Sequence, residues 1–440
     1  MMAVKKIIRK IVPARLISTY HFVLAYLASF WYGFPSKEMV VIGVTGTKGK
    51  TSTCNFIWST LTAGGFRVGL ISTANIKIGS QEYINNFHMT MPGRFVLQKL
   101  LYSMVKAGCK MCVVETSSEG IKQFRHKGIA YDVMVFTNLS PEHLPSHNNS
   151  FEKYQEAKGK VFAELNNGKR KIVEGIEIKK VIVGNFDDPK KDYFLNFTAD
   201  QKITFGFLNG ADYQGQKIKA SNKGVDFQVK LFNFHLNTLG EFNVYNALPA
   251  IALAEFCNIN PQIIQQGLER VRVIPGRMEK IEVGQDFMVL VDYAHEQKSM
   301  TAVLGEARKI IAKGAKVIVL LGAEGGGRDK NKRQQMGEAS GRLADYVVVS
   351  NVDPYDDDPL EIVTEVAFAV RQTGKVLNQN LFTIVDRREG IKKALSLAKA
   401  GDVVILTGKG AEQCMFLNTG KIAWDDREVA REEIKKMFRL

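Results

Sequence analysis

Cysteine is scarce: 440 residues hold five thiols, Cys54, Cys109, Cys112, Cys257 and Cys414. Cys109 and Cys112 form a C-x-x-C look-alike, but no second pair stands near to complete a zinc site. Scattered thiols exclude a disulfide scaffold and fit a reducing cytoplasm. Missing too is any long basic run or RNA-binding signature, although the net charge is +15. The lysines are spread along the chain. The excess therefore fits anionic small substrates, an acidic membrane surface or simple solubility, and no nucleic-acid partner is expected. A hydrophobic share of 45% excludes a disordered or fibrous chain, and the length fits two or three domains.

Asp, Glu, Lys and Arg are all absent from Leu16 to Phe34, an aromatic-rich stretch preceded by Lys5, Lys6, Arg9, Lys10 and Arg15. A secretory signal or a marginal spanning helix shares this pattern. Both conflict with a nucleotide-binding domain directly downstream, because a basic N-terminus kept inside sends the next domain away from ATP. Two expectations are left for residues 1–36: peripheral membrane contact through an interfacial helix, or a helix packed on the body of the protein.

From Met39 the texture changes. Met39 to Thr45 is a short β-branched run that reads as a buried parallel strand. Gly46-Thr47-Lys48-Gly49-Lys50-Thr51-Ser52 comes at once after it, and Thr53 to Ala63 carries helical spacing. Strand, glycine loop and helix are the context a phosphate loop requires, although Val44 stands where the general pattern wants a glycine. Backbone N–H groups and the helix N-terminus would cradle phosphates, Lys50 would neutralise them, and Thr51 would offer a hydroxyl to Mg²⁺. A second strand, Lys110 to Glu115, ends in an acid placed to hold metal beside the phosphates. A third, Asp132 to Asn138, leads to His143, which at that strand end becomes a candidate ligand for a second metal.

Nine motifs then stand in the order and spacing of one family. They are Gly46-Thr-Lys-Gly-Lys-Thr, Glu115-Thr-Ser-Ser, Thr137-Asn-Leu-Ser-Pro-Glu-His, Tyr154-Gln-Glu-Ala-Lys158, Gly240-Glu-Phe-Asn-Val-Tyr-Asn246, Pro275-Gly-Arg-Met-Glu279, Val291-Asp-Tyr-Ala-His295, Arg328-Asp-Lys330 and Gly408-Lys-Gly410. From about Val40 to the final helix the chain resembles the Mur ligases, and most of all the UDP-N-acetylmuramoyl-tripeptide synthetases. The resemblance implies a monomeric, ATP-dependent acid–amino-acid ligase of peptidoglycan precursor synthesis. It would add L-lysine or meso-diaminopimelate to UDP-N-acetylmuramoyl-L-Ala-D-Glu through an acyl-phosphate.

The resemblance also implies roles. Lys50, Glu115, His143 and Lys158 would be catalytic; Thr51, Glu115, His143 and Lys158, the last as a carbamate, would hold two Mg²⁺. ATP would meet Gly46 to Ser52, Asn243, Asn246, Arg277, Asp292 and His295. Thr90, Ser117, Gln123 and Arg125 would hold the UDP-muramoyl dipeptide. Arg328, Asp353, Gly408 and Glu412 would receive the amino acid.

The expected fold is α/β. A P-loop-containing central ATPase domain (residues 37–272) carries a small antiparallel β insertion, read at Val181 to Val183, Lys202 to Phe207 and Val225 to Phe234. Helices are expected over Phe242 to Cys257 and Pro261 to Arg270. A second doubly wound α/β domain (273–440) lies beyond a Pro275-Gly276 hinge, with strands at Phe287–Val291, Lys316–Leu321, Tyr346–Ser350 and Asp402–Leu406. Residues 1–36 are too few for the family's N-terminal UDP-gripping domain. Val352-Asp-Pro-Tyr355 stands where diaminopimelate-selecting enzymes of the family carry Asp-Asn-Pro-Arg, so the arginine that reads the far carboxylate is missing and lysine or another diamine becomes credible beside diaminopimelate. Glu119 and Ala411 stand where histidines are usual, and Glu296-Gln-Lys298 where Thr-Pro-Asp is usual. The competing readings are a pseudomurein-type peptide ligase, a folylpolyglutamate-type ligase and a membrane-associated P-loop scaffold.

Overall fold

The strand from Val40 to Thr45 is buried along nearly its whole length, as a β-branched run covered on both faces must be. The computed structural model that contains it describes residues 13–87, 89–142, 144–167, 170–327 and 329–438. The expected basic residues Lys5, Lys6, Arg9 and Lys10, together with His143 and Arg328, lie outside the described residues. The chain divides into two compact units, one of Met1–Lys217, Phe227–Phe234 and Val244–Arg270, the other of Ile218–Asp226, His235–Asn243 and Val271–Leu440.

The first large sheet has eleven strands: β1 (Val40–Thr45), β2 (Val68–Ile71), β3 (Asn75–Ile78), β4 (Gln81–Ile84), β5 (Met111–Glu115), β6 (Val133–Phe136), β7 (Val181–Asn185), β8 (Gln201–Gly206), β9 (Tyr213–Ser221), β10 (Gly224–Val229) and β11 (Phe232–Leu236). Their order is β11-β10-β9-β8-β7-β6-β1-β5-β2-β3-β4. Strand β1 lies parallel between β5 and β6, with Val44 opposite both Glu115 and Val135. Helices α1 (Ala14–Trp31), α2 (Lys50–Ala63), α3 (Arg94–Lys106), α4 (Ser118–Lys122) and α5 (Phe151–Ala163) link or cover these strands. Phe136 and Phe194 stack with ring centroids 4.0 Å apart in the core beneath them.

Two expectations need correction. Segments Val181–Asn185 and Gln201–Gly206 are not antiparallel: β7 pairs parallel with β6, and β8 pairs parallel with β7. The reason lies in the connections. Helix α5 precedes β7 and a short helix, Lys191–Leu195, separates β7 from β8, giving the crossovers that parallel neighbours require. Val225 to Phe234 is two strands rather than one, broken where Lys230 takes a left-handed φ of 53°.

Helix α1 packs against α3; its Ala25, Ala28 and Ser29 are buried, and Ser29 Oγ donates to the Gly128 carbonyl at 3.0 Å. This agrees with the packed-helix expectation for the N-terminal stretch. Among the described residues no helix is long and apolar enough to cross a membrane.

The second unit holds a six-stranded sheet of β12 (Glu279–Lys280), β13 (Met288–Asp292), β14 (Val317–Leu321), β15 (Tyr346–Ser350), β16 (Leu381–Ile384) and β17 (Val403–Thr407). Its order is β12-β13-β17-β14-β15-β16; only β12 runs antiparallel to its neighbour. Apolar clusters cover both faces of this sheet, as expected of a doubly wound domain. The parallel strands end together near Asp292, Gly322, Asn351 and Gly408, which is the edge where such sheets bind ligands.

Candidate active site

Parallel pairing brings three strand ends together: the loop after β1, Glu115 at the end of β5, and Thr137-Asn138 after β6. The loop turns sharply at Gly46 (φ 149°) and Gly49 (φ 79°). A Cβ at Gly46 would sit 2.0 Å from Thr137 Oγ1, and one at Gly49 would sit 2.1 Å from Asn246 Oδ1. Both positions therefore need glycine for backbone angle and for space. Helix α2 starts at Lys50 with no side chain capping its first turn, so its N–H groups face outward as an anion-binding end.

Neighbouring side chains lock the loop. Thr47 N–H donates to the Asn138 carbonyl at 2.8 Å, and Lys48 N–H donates to Asn138 Oδ1 at 2.9 Å. Thr137 Oγ1 donates to the Lys48 carbonyl at 2.7 Å. Lys50 Nζ donates to the Thr47 carbonyl at 2.8 Å, and Lys48 pairs with the buried Glu142 at 3.2 Å. Thr51 Oγ1 lies 3.0 Å from Glu115 Oε2, which also accepts from Thr73 N–H at 2.7 Å.

Lys158, on α5, is 1% exposed and donates from Nζ to the Gly46 carbonyl at 2.7 Å. Its Nζ lies over the Tyr154 ring at 4.6 Å, and Tyr154 OH meets Thr47 Oγ1 at 3.2 Å. Burial foremost, then the charge of Lys50, holds the Lys158 amine well below the usual lysine range, against the pull of Glu142 and Glu115.

Of the other sequence-predicted residues of this unit, Thr90 is joined to Glu115 through Thr73, while Ser117, Gln123 and Arg125 bond around the start of α4 and the loop after it. Thr90 Oγ1 accepts from Thr73 Oγ1 at 2.9 Å. Ser117 caps α4 by accepting from Gly120 N–H at 3.1 Å. Arg125 donates to Gln123 Oε1 at 2.7 Å and to the Met91 carbonyl, while Arg94 donates to the Gln123 carbonyl. Sequence reasoning passed over Thr73, Tyr154 and the Thr137-Asn138 clamp as working parts, although two of these motifs were visible.

In the second unit, Asp292 closes β13 and accepts from Met278 N–H and Ala294 N–H, each at 2.8 Å. Arg277 lies over the Tyr293 ring at 4.6 Å, His295 Nδ1 contacts the Tyr293 carbonyl at 2.8 Å, and Asn243 donates to the Leu239 carbonyl at 2.7 Å. Lys409 is fully buried between Asp353 (2.8 Å) and Glu412 (2.6 Å). Glu412 also accepts from Tyr293 OH at 3.3 Å, and Asp353 accepts from Phe416 N–H at 2.8 Å. Burial pulls the Lys409 ammonium down, but Glu412 and Asp353 outweigh it, and its pKa is pushed up to about 12. Burial pushes the Glu412 carboxyl up against the attraction of Lys409. Sequence reasoning took Lys409 only as part of a motif; its position between two carboxylates is what organises Asp353 and Glu412.

A helix N-terminus, a double-glycine loop and a buried hydroxyl–carboxylate pair define a nucleoside-triphosphate-binding α/β protein with a hard-cation site. The Mur ligase middle domain matches residues 44–254, and the Mur ligase, glutamate ligase domain matches residues 276–410. The chain is 34% identical over 437 residues to a UDP-N-acetylmuramyl-tripeptide synthetase of Roseiflexus, covering 97% of this chain and 84% of that protein. It is 35% identical to a UDP-N-acetylmuramoyl-L-alanyl-D-glutamate--2,6-diaminopimelate ligase of Geobacillus thermodenitrificans, covering 97% and 85%. A solved diaminopimelate ligase of that name superposes with a TM-score of 0.61 at 28% identity, covering 91% of this chain and 79% of that one. Mycobacterium tuberculosis folylpolyglutamate synthase shares the fold, with a TM-score of 0.70 at 17% identity over 95% of each chain. The chain belongs to the Mur ligase family and is an ATP-dependent amino-acid ligase.

Proposed function

We propose that this ligase joins a diamino acid to the D-glutamyl carboxylate of UDP-N-acetylmuramoyl-L-Ala-D-Glu, and that L-lysine is favoured over meso-diaminopimelate. The observation that carries the ATP-dependent part is the pairing of Thr51 with Glu115 beside a phosphate loop backed by buried Lys158. Tyr355, at the position of the diaminopimelate-reading arginine, carries the amino-acid preference; it stacks on Phe416 with centroids 5.2 Å apart.

The residues fit Mg²⁺, since Thr51 and Glu115 offer hard oxygen donors in a buried setting. Among the described residues no three His, Cys, Asp or Glu side chains gather as a metal cage, so phosphate oxygens and water would complete the coordination. Two Mg²⁺ sites are assigned: one at Thr51 and Glu115, the other at His143 and a carbamate on Lys158. A neutral, buried amine is the form that takes up CO₂, which is what the Lys158 environment favours. Bound Mg²⁺ supplies neutralisation of phosphoryl charge.

The chain's own groups do the rest. Lys50 and the α2 N-terminus hold the β- and γ-phosphates, so the substrate carboxylate can approach phosphorus without full anion repulsion. ADP leaves phosphorus as the acyl-phosphate forms; the neutral amine then attacks the carbonyl carbon, and the tetrahedral intermediate loses phosphate and one amine proton to give the amide. Thr90, Ser117, Gln123 and Arg125 are assigned to the muramoyl peptide. Asn243, Asn246, Arg277, Asp292 and His295 keep the ATP-contacting role that the resemblance implies. Arg328, Asp353, Gly408 and Glu412 receive the amino acid, with Glu412 accepting from the distal amine. A monomeric state, domain closure at Pro275-Gly276 and peripheral membrane contact through residues 1–36 complete the reading.

The test is phosphate release with ATP, Mg²⁺ and UDP-N-acetylmuramoyl-L-Ala-D-Glu, adding lysine, diaminopimelate or ornithine singly. Release that depends on lysine supports the proposal. Release with diaminopimelate alone overturns the preference, and no release with any of them overturns the acid substrate.

A further inference from the structure

We propose that α1 is an interfacial helix that seats the first unit on an anionic lipid surface. This deepens the reading of residues 1–36 as a peripheral membrane contact and stands independently of the ligase assignment. At 3.6 residues per turn, Leu16, Tyr20, Val23, Leu27, Phe30 and Trp31 fall on one arc of about 100°. All six are exposed, Phe30 at 72% and Trp31 at 76%. The opposite arc carries the small residues Ala25, Ala28 and Ser29, which are buried against the body of the unit. The helix is thus packed through small side chains and presents its large ones outward, the reverse of an ordinary surface helix.

Charge selects the occupant. Lys5, Lys6, Arg9, Lys10, Arg15 and Lys37 are the only charged residues before Glu38. The neighbouring α3 carries Arg94, Lys99 and Lys106 and no acid, and both of these lysines are exposed. An apolar aromatic strip with cations on the neighbouring α3, preceded in sequence by Lys5, Lys6, Arg9, Lys10 and Arg15, matches acyl chains beneath anionic headgroups. A second copy of this chain would set those cations against their equals, so self-association through this face is disfavoured by charge. The strip is not a span, since no described helix is long and apolar enough to cross.

The location gives the contact a purpose. Phe22, on the flank of α1, meets the Phe124 ring edge-on at 5.9 Å, and Phe124 sits between Gln123 and Arg125. Seating α1 on lipid holds that loop, assigned to the muramoyl substrate, beside the membrane surface.

The experiment is flotation of the full chain with phosphatidylcholine vesicles and with vesicles that also contain phosphatidylglycerol. The chain should float with the anionic vesicles, dissociate at high salt, and stay behind with neutral ones. L27E/F30E should lose flotation with an unchanged melting temperature and unchanged phosphate release on the soluble substrate. K99E/K106E, on a different helix, should weaken binding by about tenfold and decides the matter should the first variant misfold. Absence of wild-type flotation, equal binding to both vesicles, variants that float like wild type, or a sedimenting dimer that L27E/F30E dissociates would each overturn the proposal. Phosphate release, read separately, shows whether the ligase assignment stands or fails on its own.

Discussion

Lys158 donates its Nζ proton to the carbonyl oxygen of Gly46 at 2.7 Å, linking the middle of α5 to the first glycine of the phosphate loop. In the carbamate form proposed above, this buried side chain would carry the anion that holds the second Mg²⁺ beside the loop. Lys158→Ala should therefore lower turnover by about 10³-fold or more while ATP affinity stays within a few-fold, measured by phosphate release and nucleotide titration. Solid evidence for the carbamate would be a ¹³C resonance from ¹³CO₂-equilibrated protein that Lys158→Ala lacks.

The same burial has a stability consequence. The folded state holds the Lys158 pKa below its unfolded value, so the unfolded chain binds the extra proton and stability rises with pH across that window. In CO₂-free buffer Lys158→Met should melt higher than wild type at neutral pH, by roughly 2–4 °C. The gap should close as pH climbs toward the ordinary lysine value. A Lys158→Met protein that melts lower at neutral pH would contradict this.

Glu115 accepts from both Thr51 Oγ1 and Thr73 N–H, so removing its charge touches metal and loop together. Glu115→Gln keeps the shape and one acceptor oxygen. It should raise the Mg²⁺ concentration needed for half-maximal turnover by at least about tenfold, with a melting temperature close to wild type. Titration of activity against Mg²⁺ checks it.

Lys409 lies between two carboxylates, and Lys409→Met leaves both without their cation. The loss should be about 3–5 kcal/mol, read by urea unfolding of the full chain. Because the Lys409 pKa is raised from 10.5 to about 12, its stabilisation is fully present below pH 10.5 and disappears as pH rises through about 12. The advantage of wild type over Lys409→Met should thus be level from pH 7 to 10 and shrink above that.

Tyr355 takes a left-handed φ of 53° and packs its ring on Phe416. Tyr355→Arg should gain phosphate release with meso-diaminopimelate and lose part of that with lysine, a shift in the ratio of kcat/KM values of about tenfold or more. An unchanged ratio would remove Tyr355 from the specificity argument.

What could be read in advance was local. The phosphate loop is one contiguous strand, turn and helix, so its residues announce it, and the helix over Phe242–Phe256 arises from its own apolar run. Contacts that close over long separations were not legible: Thr137 reaches Lys48 across 89 positions, and Lys409 reaches Asp353 across 56. Strand direction was also hidden, since Val181–Asn185 and Gln201–Gly206 have the same composition in either orientation; the helices between strands decide it. For α1 the apolar character was plain in the sequence. Which face turned outward depended on the burial of Ala25, Ala28 and Ser29, with Ser29 reaching the Gly128 carbonyl across 99 positions.

The central claim is that the acid is activated through an acyl-phosphate, and an oxygen label tests it most directly. UDP-N-acetylmuramoyl-L-Ala-D-Glu labelled with ¹⁸O in the glutamyl side-chain carboxylate should pass one labelled oxygen to each phosphate released during amino-acid-dependent turnover. Phosphate free of label, with product still formed, would contradict the account.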